Sequence, residues 1–396
     1  MTIEKNLMKN NISLLIGLKN NVEYSKRCYH SIRENYPDTE IVFVSYGSSD
    51  GTHEWLDSLQ DQNLVYFSNA EEKTLSDTYN KAIEIATKDY VCFLHNDMVI
   101  GRNFLSSLEK VLPENNLVYY KVIEPPIFAS DKRLWKEIQD FGSDFETFQF
   151  DDFFQFENNQ EHQKGEYTQD VSFFLAAKKE FLVKINGLDP LFKPMFCEDD
   201  DLILRLRMSG EKTFVCPDAI VYHFVSKTSR FSEEFQNKTR KIEESSLRNF
   251  IRKWGFSNQS KTKKKLQYGL VLENPTDEAI RELEIFVDHI YSDYNAASYI
   301  AGEQQNTKID LKEKFRTKNA EVTDDVIIRF DAQKLVDKNR YTFRNLADCI
   351  EDKKNSERNI FDKLFGKPNH FKINNLKFEI QKDQSYEQQL IIRKNV

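Results

Sequence analysis

The stretch Tyr90-Val-Cys-Phe-Leu-His-Asn-Asp97 decides the fold, because an apolar run passes directly into three polar residues. Residues 90–94 have the length and apolar character of a fully buried strand. Three similar runs precede this one, at residues 12–17, 41–45 and 64–67. Such near-continuous apolar runs are typical of strands in parallel sheets, which are covered on both faces.

Helical spacing fills the intervals between these runs. Residues 23–35 place Tyr24, Cys28 and Ile32 on one face, and residues 75–86 form a second helix. A third, short helix follows the loop Gly47-Ser-Ser-Asp-Gly-Thr52, with Thr52 as its expected N-cap. Strands that alternate with helices predict an α/β fold, with a mostly parallel sheet flanked by helices. Ligands of such sheets bind beyond the carboxyl ends of the strands.

Length and composition limit the classes of protein that remain. A chain of 396 residues suggests two or three domains, and 39% hydrophobic with 13% aromatic residues excludes wholesale disorder. No apolar run is long enough to cross a bilayer, and residues 1–11 lack the apolar core of a signal peptide, so we expect a cytoplasmic protein. The five cysteines contain no Cys-x-x-Cys pair and are expected to be small buried hydrophobes.

The composition shifts near residue 255, where a polar and basic stretch begins. We predict a catalytic domain over residues 1–255 and a smaller accessory α/β domain over residues 256–396. The predicted elements of the second domain are strands at 266–272 and 325–330, helices at 276–291 and 342–352, and strand-like runs at 371–380 and 388–393.

Two segments of the first domain allow more than one interpretation. Residues 141–162 are rich in Phe, Asp and Asn, and are read as an irregular insertion that shapes a cleft or as ordinary edge strands and loop. Residues 172–184 are read as a strand or a helix that leads to a turn at 187–190.

A basic stretch extends from Lys238 to Lys265, with ten Lys/Arg and two Glu against an overall net charge of −8. A solvated helix face or linker explains such a run, and so does contact with phosphates or an anionic membrane surface.

Three polar motifs carry potential chemistry. A carboxylate in His95-Asn96-Asp97 can bind a hard divalent cation, although Asn-Asp pairs are also common in surface turns. The strand over residues 215–223 ends in His223, which with Asp97 would make a mixed site for Mn²⁺ or Mg²⁺, or would be a structural histidine. Lys227 and Arg230 follow closely and are candidates for contacts with phosphates.

The third motif is the acidic run Glu198-Asp-Asp-Asp201. Mutual repulsion raises at least one carboxyl pKa, which suits a general base that takes a proton from a hydroxyl. The structural interpretation is an acidic helix start capped by Asp199 or Asp200, with Gly210 at the helix end.

The order of these motifs resembles that of the inverting family 2 glycosyltransferases, which have the GT-A fold. The resemblance covers about residues 10–230, and its most specific part is Glu198-Asp-Asp-Asp-Leu-Ile-Leu-Arg-Leu-Arg-Met-Ser-Gly210. It implies a nucleotide-sugar donor, a divalent metal (Mn²⁺ or Mg²⁺) and direct displacement with inversion at the anomeric carbon.

The resemblance also assigns roles to single residues. Asp97 matches the last Asp of the family's DxD motif and His223 matches the histidine that completes the metal or diphosphate site, while Asp199 matches the catalytic base. Two positions depart from the family pattern: His95 replaces the first Asp of DxD, and Ser45-Tyr46 replaces acidic or Asn residues before the Gly-Ser loop. The residues expected to contact the donor are Gly17, Leu18, Asn20, Tyr46 (by stacking on a base), Ser48, Asn80, Asn96 and Lys227.

Alternative functions remain at this stage. A sugar nucleotidyltransferase would need a Gly-rich basic loop after the first strand, which Gly17-Leu-Lys-Asn20 matches poorly. A non-catalytic glycan-binding or scaffold protein would not need the acidic cluster. The acceptor is a glycan, a protein or a small molecule, or a nucleic acid with hydroxylated bases that contacts the stretch 238–265, as in phage-type DNA modification.

Overall fold

The computed structural model describes residues 10–127, 132–160, 163–225, 237–356 and 369–382. Two compact units make it up, the first extending to Ile242 and the second beginning at Glu243. The boundary predicted near residue 255 falls at the end of a helix, Thr239–Trp254, that spans the junction in sequence.

Ten strands of the first unit hydrogen-bond into one sheet, in the order β3-β2-β1-β4-β9-β6-β10-β5, with β7 beside β6 and β8 beside β10. These are β1 (Ile12–Leu18), β2 (Glu40–Tyr46), β3 (Leu64–Asn69), β4 (Tyr90–His95), β5 (Met98–Ile100), β6 (Leu117–Glu124), β7 (Lys136–Ile138), β8 (Glu166–Thr168), β9 (Leu175–Lys178) and β10 (Thr213–His223).

The sheet is mainly parallel. β1 pairs in parallel with β2 and β4, β2 with β3, and β6 with β10, whereas β9 is antiparallel to both of its neighbours. The predicted α/β class and mostly parallel sheet are therefore confirmed. The apolar runs that predicted β1, β2 and β4 are almost completely buried, because helices cover both faces.

Seven helices of the first unit are described: α1 (Val22–Asn35), α2 (Thr52–Ser58), α3 (Leu75–Ile85), α4 (Phe104–Val111), α5 (Phe150–Asn159), α6 (Lys179–Lys184) and α7 (Glu198–Met208). Thr52 is the first residue of α2 rather than its N-cap, which is Gly51 at φ +92°. Asp50 replaces the missing cap, because one carboxylate oxygen accepts the Thr52 N–H and the other accepts the Val22 N–H at the start of α1. The Gly-Ser loop thus ties two helix starts together.

The segment 141–162 was predicted wrongly, since it contains the helix α5. The helix buries Phe153, Phe154 and Glu157 on one side, and the Glu157 carboxylate accepts backbone N–H groups at the start of α4. Tertiary burial of this face compensates for a sequence poor in good helix formers. The segment 172–184 contains both of its alternatives, β9 and then α6.

The acidic run forms the first turn of α7, as the cap signals predicted, but the N-cap is Cys197 rather than Asp199 or Asp200. The helix ends at Met208, two residues before Gly210, whose φ of +100° suits glycine. Inside α7, Arg205 and Asp201 form a fully buried ion pair at 2.8 Å. The same guanidinium donates to the carbonyls of Ile185 and Gly187, so it fixes the acidic end of α7 to the preceding turn.

We expect Arg205→Met to lower the free energy of unfolding by about 3–5 kcal/mol, because it leaves a buried carboxylate without its guanidinium. Urea denaturation followed by tryptophan fluorescence measures this loss. The matched control is Lys26→Met at the exposed Lys26–Glu23 pair, which should change stability by less than about 1 kcal/mol. Equal effects of the two substitutions would contradict the role of Arg205.

The second unit contains a six-stranded sheet in the order β13-β12-β11-β14-β16-β15, whose first four strands are parallel. Its strands are β11 (Tyr268–Glu273), β12 (His289–Ser292), β13 (Phe315–Thr317), β14 (Val326–Asp331), β15 (His370–Ile373) and β16 (Leu376–Ile380). Its described helices are α8 (Thr239–Trp254), α9 (Asp277–Leu283), α10 (Ala297–Glu303), α11 (Asp337–Arg344) and α12 (Leu346–Ser356).

Three predictions for this unit need correction. The helix predicted over 276–291 stops at Leu283, and the β-branched and aromatic residues after it form a 3₁₀ turn and β12. The helix predicted over 342–352 is the end of α11 and most of α12, which separate at Asn345. The run 371–380 is a hairpin that turns at Asn374, with φ +53°. The run 388–393 lies outside the described residues.

The basic stretch 238–265 forms α8 and the loop after it. Four of its cations bind carboxylates elsewhere in the second unit: Arg248 and Arg252 contact Glu303, Lys264 contacts Glu351, and Lys265 contacts Asp288. Arg252 also binds Glu284, a buried carboxylate that Lys314 contacts at 2.6 Å. Four of the ten Lys and Arg residues in the stretch 238–265 are therefore paired with carboxylates inside the second unit.

None of the helices in the described ranges combines the length and apolar content that a membrane crossing requires. All five cysteines are free thiols. Cys28, Cys92 and Cys216 are buried as expected, whereas Cys197 and Cys349 are only half-buried.

Candidate active site

Strand pairing brings distant polar residues to one edge of the first sheet. β5 runs antiparallel to the end of β10 with Met98 opposite His223, and the Phe224 N–H donates to the Asp97 carbonyl at 3.0 Å. β4 ends at His95, level with Gly17 on β1. Asp97, His95 and His223 therefore meet, although the first two are far from the third in sequence.

The three side chains offer one ligand atom each, and these atoms all lie within 4.8 Å of one another. His223 Nε2 is 3.4 Å from Asp97 Oδ1, and His95 Nδ1 is 4.0 Å from the same oxygen. Asp97 and His223 are buried, and His95 is partly exposed. The sequence predicted the Asp97–His223 pair, but it did not predict His95 as a third member.

The pKa values of the two imidazoles are shifted in opposite directions. Burial lowers the pKa of His95 to about 4, even though Asp97 opposes that shift. Burial alone would also lower the pKa of His223, but the carboxylates of Asp97 and Glu124 raise it to about 9. The same cluster therefore holds one neutral imidazole and one that carries a proton between two acids.

Glu124, which the sequence analysis missed, orients His223. Its carboxylate lies 2.9 Å from His223 Nδ1, across 99 positions of sequence, and Lys136 on β7 holds the other oxygen at 2.5 Å. Both Glu124 and His223 are buried. A carboxylate on one ring nitrogen fixes the tautomer and aims the other nitrogen, here Nε2, at the site. No local sequence signal marks Glu124, because its relation to His223 depends on the parallel pairing of β6 with β10.

This cluster fits a divalent metal. The buried His223 Nε2 atom makes no hydrogen bond in the described structure, although buried polar atoms are nearly always paired. Two imidazole nitrogens and one carboxylate oxygen form a mixed donor set that suits Mn²⁺ and other transition metals better than Mg²⁺, which prefers oxygen. Asp97, His223 and His95 are thus the residues that would hold the ion.

We expect Glu124→Gln to weaken Mn²⁺ binding by about 10–100-fold, because the substitution removes the charge that orients the His223 ring. Electron paramagnetic resonance of free Mn²⁺ measures this without any substrate. Glu137→Gln is the matched control, since Glu137 pairs with Lys121 in the same strand pair and is more exposed. Wild-type affinity in Glu124→Gln would show that the contact does not support metal binding.

A cavity of about 300 Å³ opens beside the cluster. Six of the predicted site residues line it: Gly17, Leu18, Tyr46, Asn96, Asp97 and His223. Phe173, Phe196 and Leu75 add apolar walls. Gly17 packs closely against Thr78 and Tyr79, since a β-carbon at this position would lie 3.0 Å from both side chains, and the backbone of β1 forms part of the wall.

Other predicted donor contacts have structural partners. The Asn20 N–H donates to Ser48 Oγ, and Asn20 Oδ1 accepts the Ser49 N–H, so these residues join the loops after β1 and β2. The Asn80 amide bonds both backbone groups of Leu188. Asn20, Ser48 and Asn80 are absent from the cavity lining in the described part of the chain. Lys227 and Arg230 lie outside the described residues.

The acidic end of α7 reaches the cavity through Glu198 rather than Asp199. Glu198 is buried, lines the cavity, and its Oε2 atom makes no hydrogen bond within the described structure. Burial, and then the charge of Asp199, raises the pKa of Glu198 well above its usual range. Asp199 is half-buried and adjacent, and burial followed by repulsion from Asp200 raises its pKa to about 6. Arg133 partly offsets that shift.

The sequence analysis also missed Lys19 and Glu72 on the cavity wall. Lys19 Nζ donates to the Gly47 carbonyl at 2.7 Å and to Glu72 at 2.6 Å. This bridge links the loops after β1, β2 and β3. Lys19 lies between Leu18 and Asn20, which were expected to contact the donor, whereas Glu72 had no signal because it depends on the pairing of β2 with β3.

Residues 13–185 match the family model described as Glycosyl transferase family 2. The matched segment, which is less than half of the chain, is therefore similar in sequence to that family. The match includes His95 and Asp97 with the adjoining strands β4 and β5, and it ends before the acidic helix α7 and before β10 with His223.

A curated protein that is similar to part of this chain is the glycosyltransferase GlyG of Streptococcus pneumoniae serotype 4 (strain ATCC BAA-334 / TIGR4). The two are 23% identical over 108 residues, which is 26% of this chain and 36% of GlyG. The chain therefore matches only about a third of the length of this relative.

Among solved structures, the chain is similar to the mannosyltransferase PcManGT from Pyrobaculum calidifontis, in complex with GDP-Man and Mn²⁺. The TM-score is 0.41 at 17% identity, covering 61% of this chain and 63% of PcManGT. It is also similar to S. aureus TarS 1-349 in complex with UDP-GlcNAc, with a TM-score of 0.42 at 14% identity, covering 61% of this chain and 70% of that one.

Proposed function

We propose that the first unit transfers a sugar from a nucleotide-sugar donor to an acceptor hydroxyl, with a divalent metal and with inversion at the anomeric carbon. The observation that carries this proposal is the meeting of Asp97, His95 and His223 in the wall of a cavity that Glu198 also lines. In a family 2 glycosyltransferase domain, a cation site beside a cavity edged by acids supplies the parts that glycosyl transfer requires.

The cavity wall would hold the nucleotide end of the donor. The Tyr46 ring lies on the cavity wall and packs at a tilt against Phe67, which leaves it in place to stack on a base. The backbone of Gly17 and Leu18 forms the adjoining wall. A bound Mn²⁺ or Mg²⁺ would neutralise charge on the leaving diphosphate.

The acidic end of α7 would handle the acceptor proton. Asp199 accepts the proton of the acceptor hydroxyl while the oxygen of that hydroxyl forms a bond to the anomeric carbon. The bond from that carbon to the diphosphate oxygen breaks in the same step, and the electron pair leaves with the nucleotide. A carboxyl pKa near 6 suits a base that operates at neutral pH. Glu198, whose carboxyl pKa is raised by burial, would shape the cavity beside Asp199.

We expect Asp97→Ala to abolish metal-dependent donor binding, because it removes the carboxylate that both imidazoles face. Calorimetric titration with a nucleotide diphosphate, with and without Mn²⁺, measures this effect. Asp89→Ala is a control, since Asp89 is a carboxylate at the opposite end of β4. An Asp97→Ala variant whose affinity still responds to EDTA would contradict the ligand role.

We expect Asp199→Asn to slow transfer by roughly 10²–10⁴-fold while donor binding survives, because the amide cannot accept the proton. Rates and donor affinities measured on the same preparation separate the two effects. Glu198→Gln is the comparison, since it keeps the size and shape of the neighbouring side chain that lines the cavity. A larger loss of rate in Glu198→Gln than in Asp199→Asn would move the base assignment to Glu198.

The pH dependence follows from the same carboxyl group. Its raised pKa means that the base is protonated below about pH 6, so kcat/KM should fall about tenfold per pH unit as the pH drops below that value. Measurements from pH 4.5 to 8, with metal held in excess, test this. A flat profile through pH 6 would exclude Asp199 as the base.

A thermal-shift screen of nucleotide sugars, with and without Mn²⁺, tests the proposed function directly. A ligand at a hundredfold excess over its dissociation constant adds about 2.7 kcal/mol of stability. We expect stabilisation by one nucleotide-sugar class, dependent on Mn²⁺ and absent in Asp97→Ala. Glycans, proteins and small molecules that carry hydroxyl groups are then assayed as acceptors of the sugar from that donor. Stabilisation by nucleoside triphosphates with pyrophosphate release would instead indicate a nucleotidyltransferase.

A further inference from the structure

A groove of about 590 Å³ lies within the second unit, between α8, α9, the 3₁₀ turn Glu284–Phe286 and α11. Its volume falls in the range of sites that hold small molecules. The proposed transfer reaction uses none of its residues, so its role is independent of the active site in the first unit.

The walls of the groove are apolar at their base. Leu247 and Ile251 of α8 face it one turn apart, and Leu283, Ile285 and Phe286 complete the apolar surface. Ile251, Ile285 and Phe286 are buried, so they belong to the core of the unit and give the groove a fixed base. An apolar surface of this kind binds hydrocarbon and lowers the local dielectric around nearby charges.

Two arginines are fixed in the groove walls by ion pairs. Arg248 bonds Glu303 at 3.1 Å and the Tyr299 hydroxyl at 3.2 Å. Arg340 bonds Glu282 at 2.6 Å and Glu278 at 2.7 Å. Carboxylates already neutralise the charges of Arg248 and Arg340, so these two arginines stabilise the walls of the groove.

Two further arginines of the same groove differ from these. The guanidinium groups of Arg281 and Arg344 are exposed, and neither makes a hydrogen bond or ion pair with any residue that the structure describes. Together they add two exposed guanidinium groups to the lining of a groove that has an apolar base. Arginine is the side chain best suited to bind phosphate oxygens through paired hydrogen bonds.

We propose that this groove binds a phosphate ester that carries an apolar group, with the phosphate on Arg281 and Arg344 and the apolar group on the surface formed by Leu247, Leu283 and Phe286. The groove is much larger than a phosphate group, so a bound phosphate would fill only the part of it near Arg281 and Arg344. A ligand without a hydrocarbon part would leave the apolar base in water, and a ligand without an anion would leave two cations unused.

The experiment uses the full chain and measures binding by calorimetry. The probes are octyl phosphate below its micelle concentration, inorganic phosphate, and octanol. We expect octyl phosphate to bind at least about tenfold more tightly than either of the others. The double substitution Arg281→Gln/Arg344→Gln should weaken octyl phosphate by about tenfold or more, because each lost guanidinium removes charge-assisted hydrogen bonds.

The control is Arg329→Gln, which changes an exposed arginine of β14 outside the groove and should leave the affinity unchanged. If the double variant does not fold, as judged by circular dichroism, each single variant must show a partial loss of octyl phosphate affinity. Binding that is undetectable, or unchanged in these variants, would overturn the proposal.

A second arm identifies the source of the phosphate ester. Phosphatidylcholine vesicles with and without phosphatidic acid are sedimented with the full chain. Retention that requires phosphatidic acid and fails in the double variant indicates a lipid headgroup, whereas octyl phosphate binding without retention indicates a soluble phosphorylated ligand. If an oligoglutamate peptide binds more tightly than octyl phosphate and loses affinity in the double variant, the ligand of the groove is an acidic peptide and the proposal of a phosphate ester is overturned.

Discussion

The His223 imidazole lies between two buried carboxylates, and the geometry of the active site depends on this contact. Asp97 faces one ring nitrogen at 3.4 Å and Glu124 the other at 2.9 Å. Two acids buried this close together would repel each other strongly in a low-dielectric interior. The protonated ring and the Lys136 ammonium offset that cost. A bound metal cation can take over the same role on the Nε2 side, since it also supplies positive charge to Asp97.

Neighbouring parts of the fold keep this contact in register. Phe148 and Phe145, from the segment before α5, pack on Tyr222 and Phe224 with ring centroids 4.9 and 4.6 Å apart. The segment that the sequence suggested as a wall of the cleft therefore supports the end of β10 instead. On the other side of the site, the Arg205 guanidinium fixes the start of α7 to the turn before it. Both supports make the site rigid, because their contacts are buried and well packed.

The second unit shows how a charge run in sequence changes meaning after folding. The excess of Lys and Arg between residues 238 and 265 suggested contact with nucleic acid or an anionic surface. Arg252 is instead buried against Glu284 and Glu303, and Lys265 is paired with Asp288. The cations that remain available in the groove, Arg281 and Arg344, lie outside that stretch and carry no signal in the linear sequence.

The sequence by itself determined the alternation of strands and helices, the mainly parallel sheet, the helix that starts with the acidic run, and the pairing of Asp97 with His223. Each of these depends on apolar patterns or cap signals within a short window, or on motif order that resembles a known family. Tertiary structure alone decided that Glu124 orients His223, that His95 joins the metal cluster, and that Glu198 lines the cavity beside Asp199. The first two outcomes depend on the register of strands far apart in sequence, because a one-residue shift in register would point a side chain to the opposite face of the sheet. The position of Glu198 depends on the contacts of Arg205, which fix the start of α7 to the turn before it.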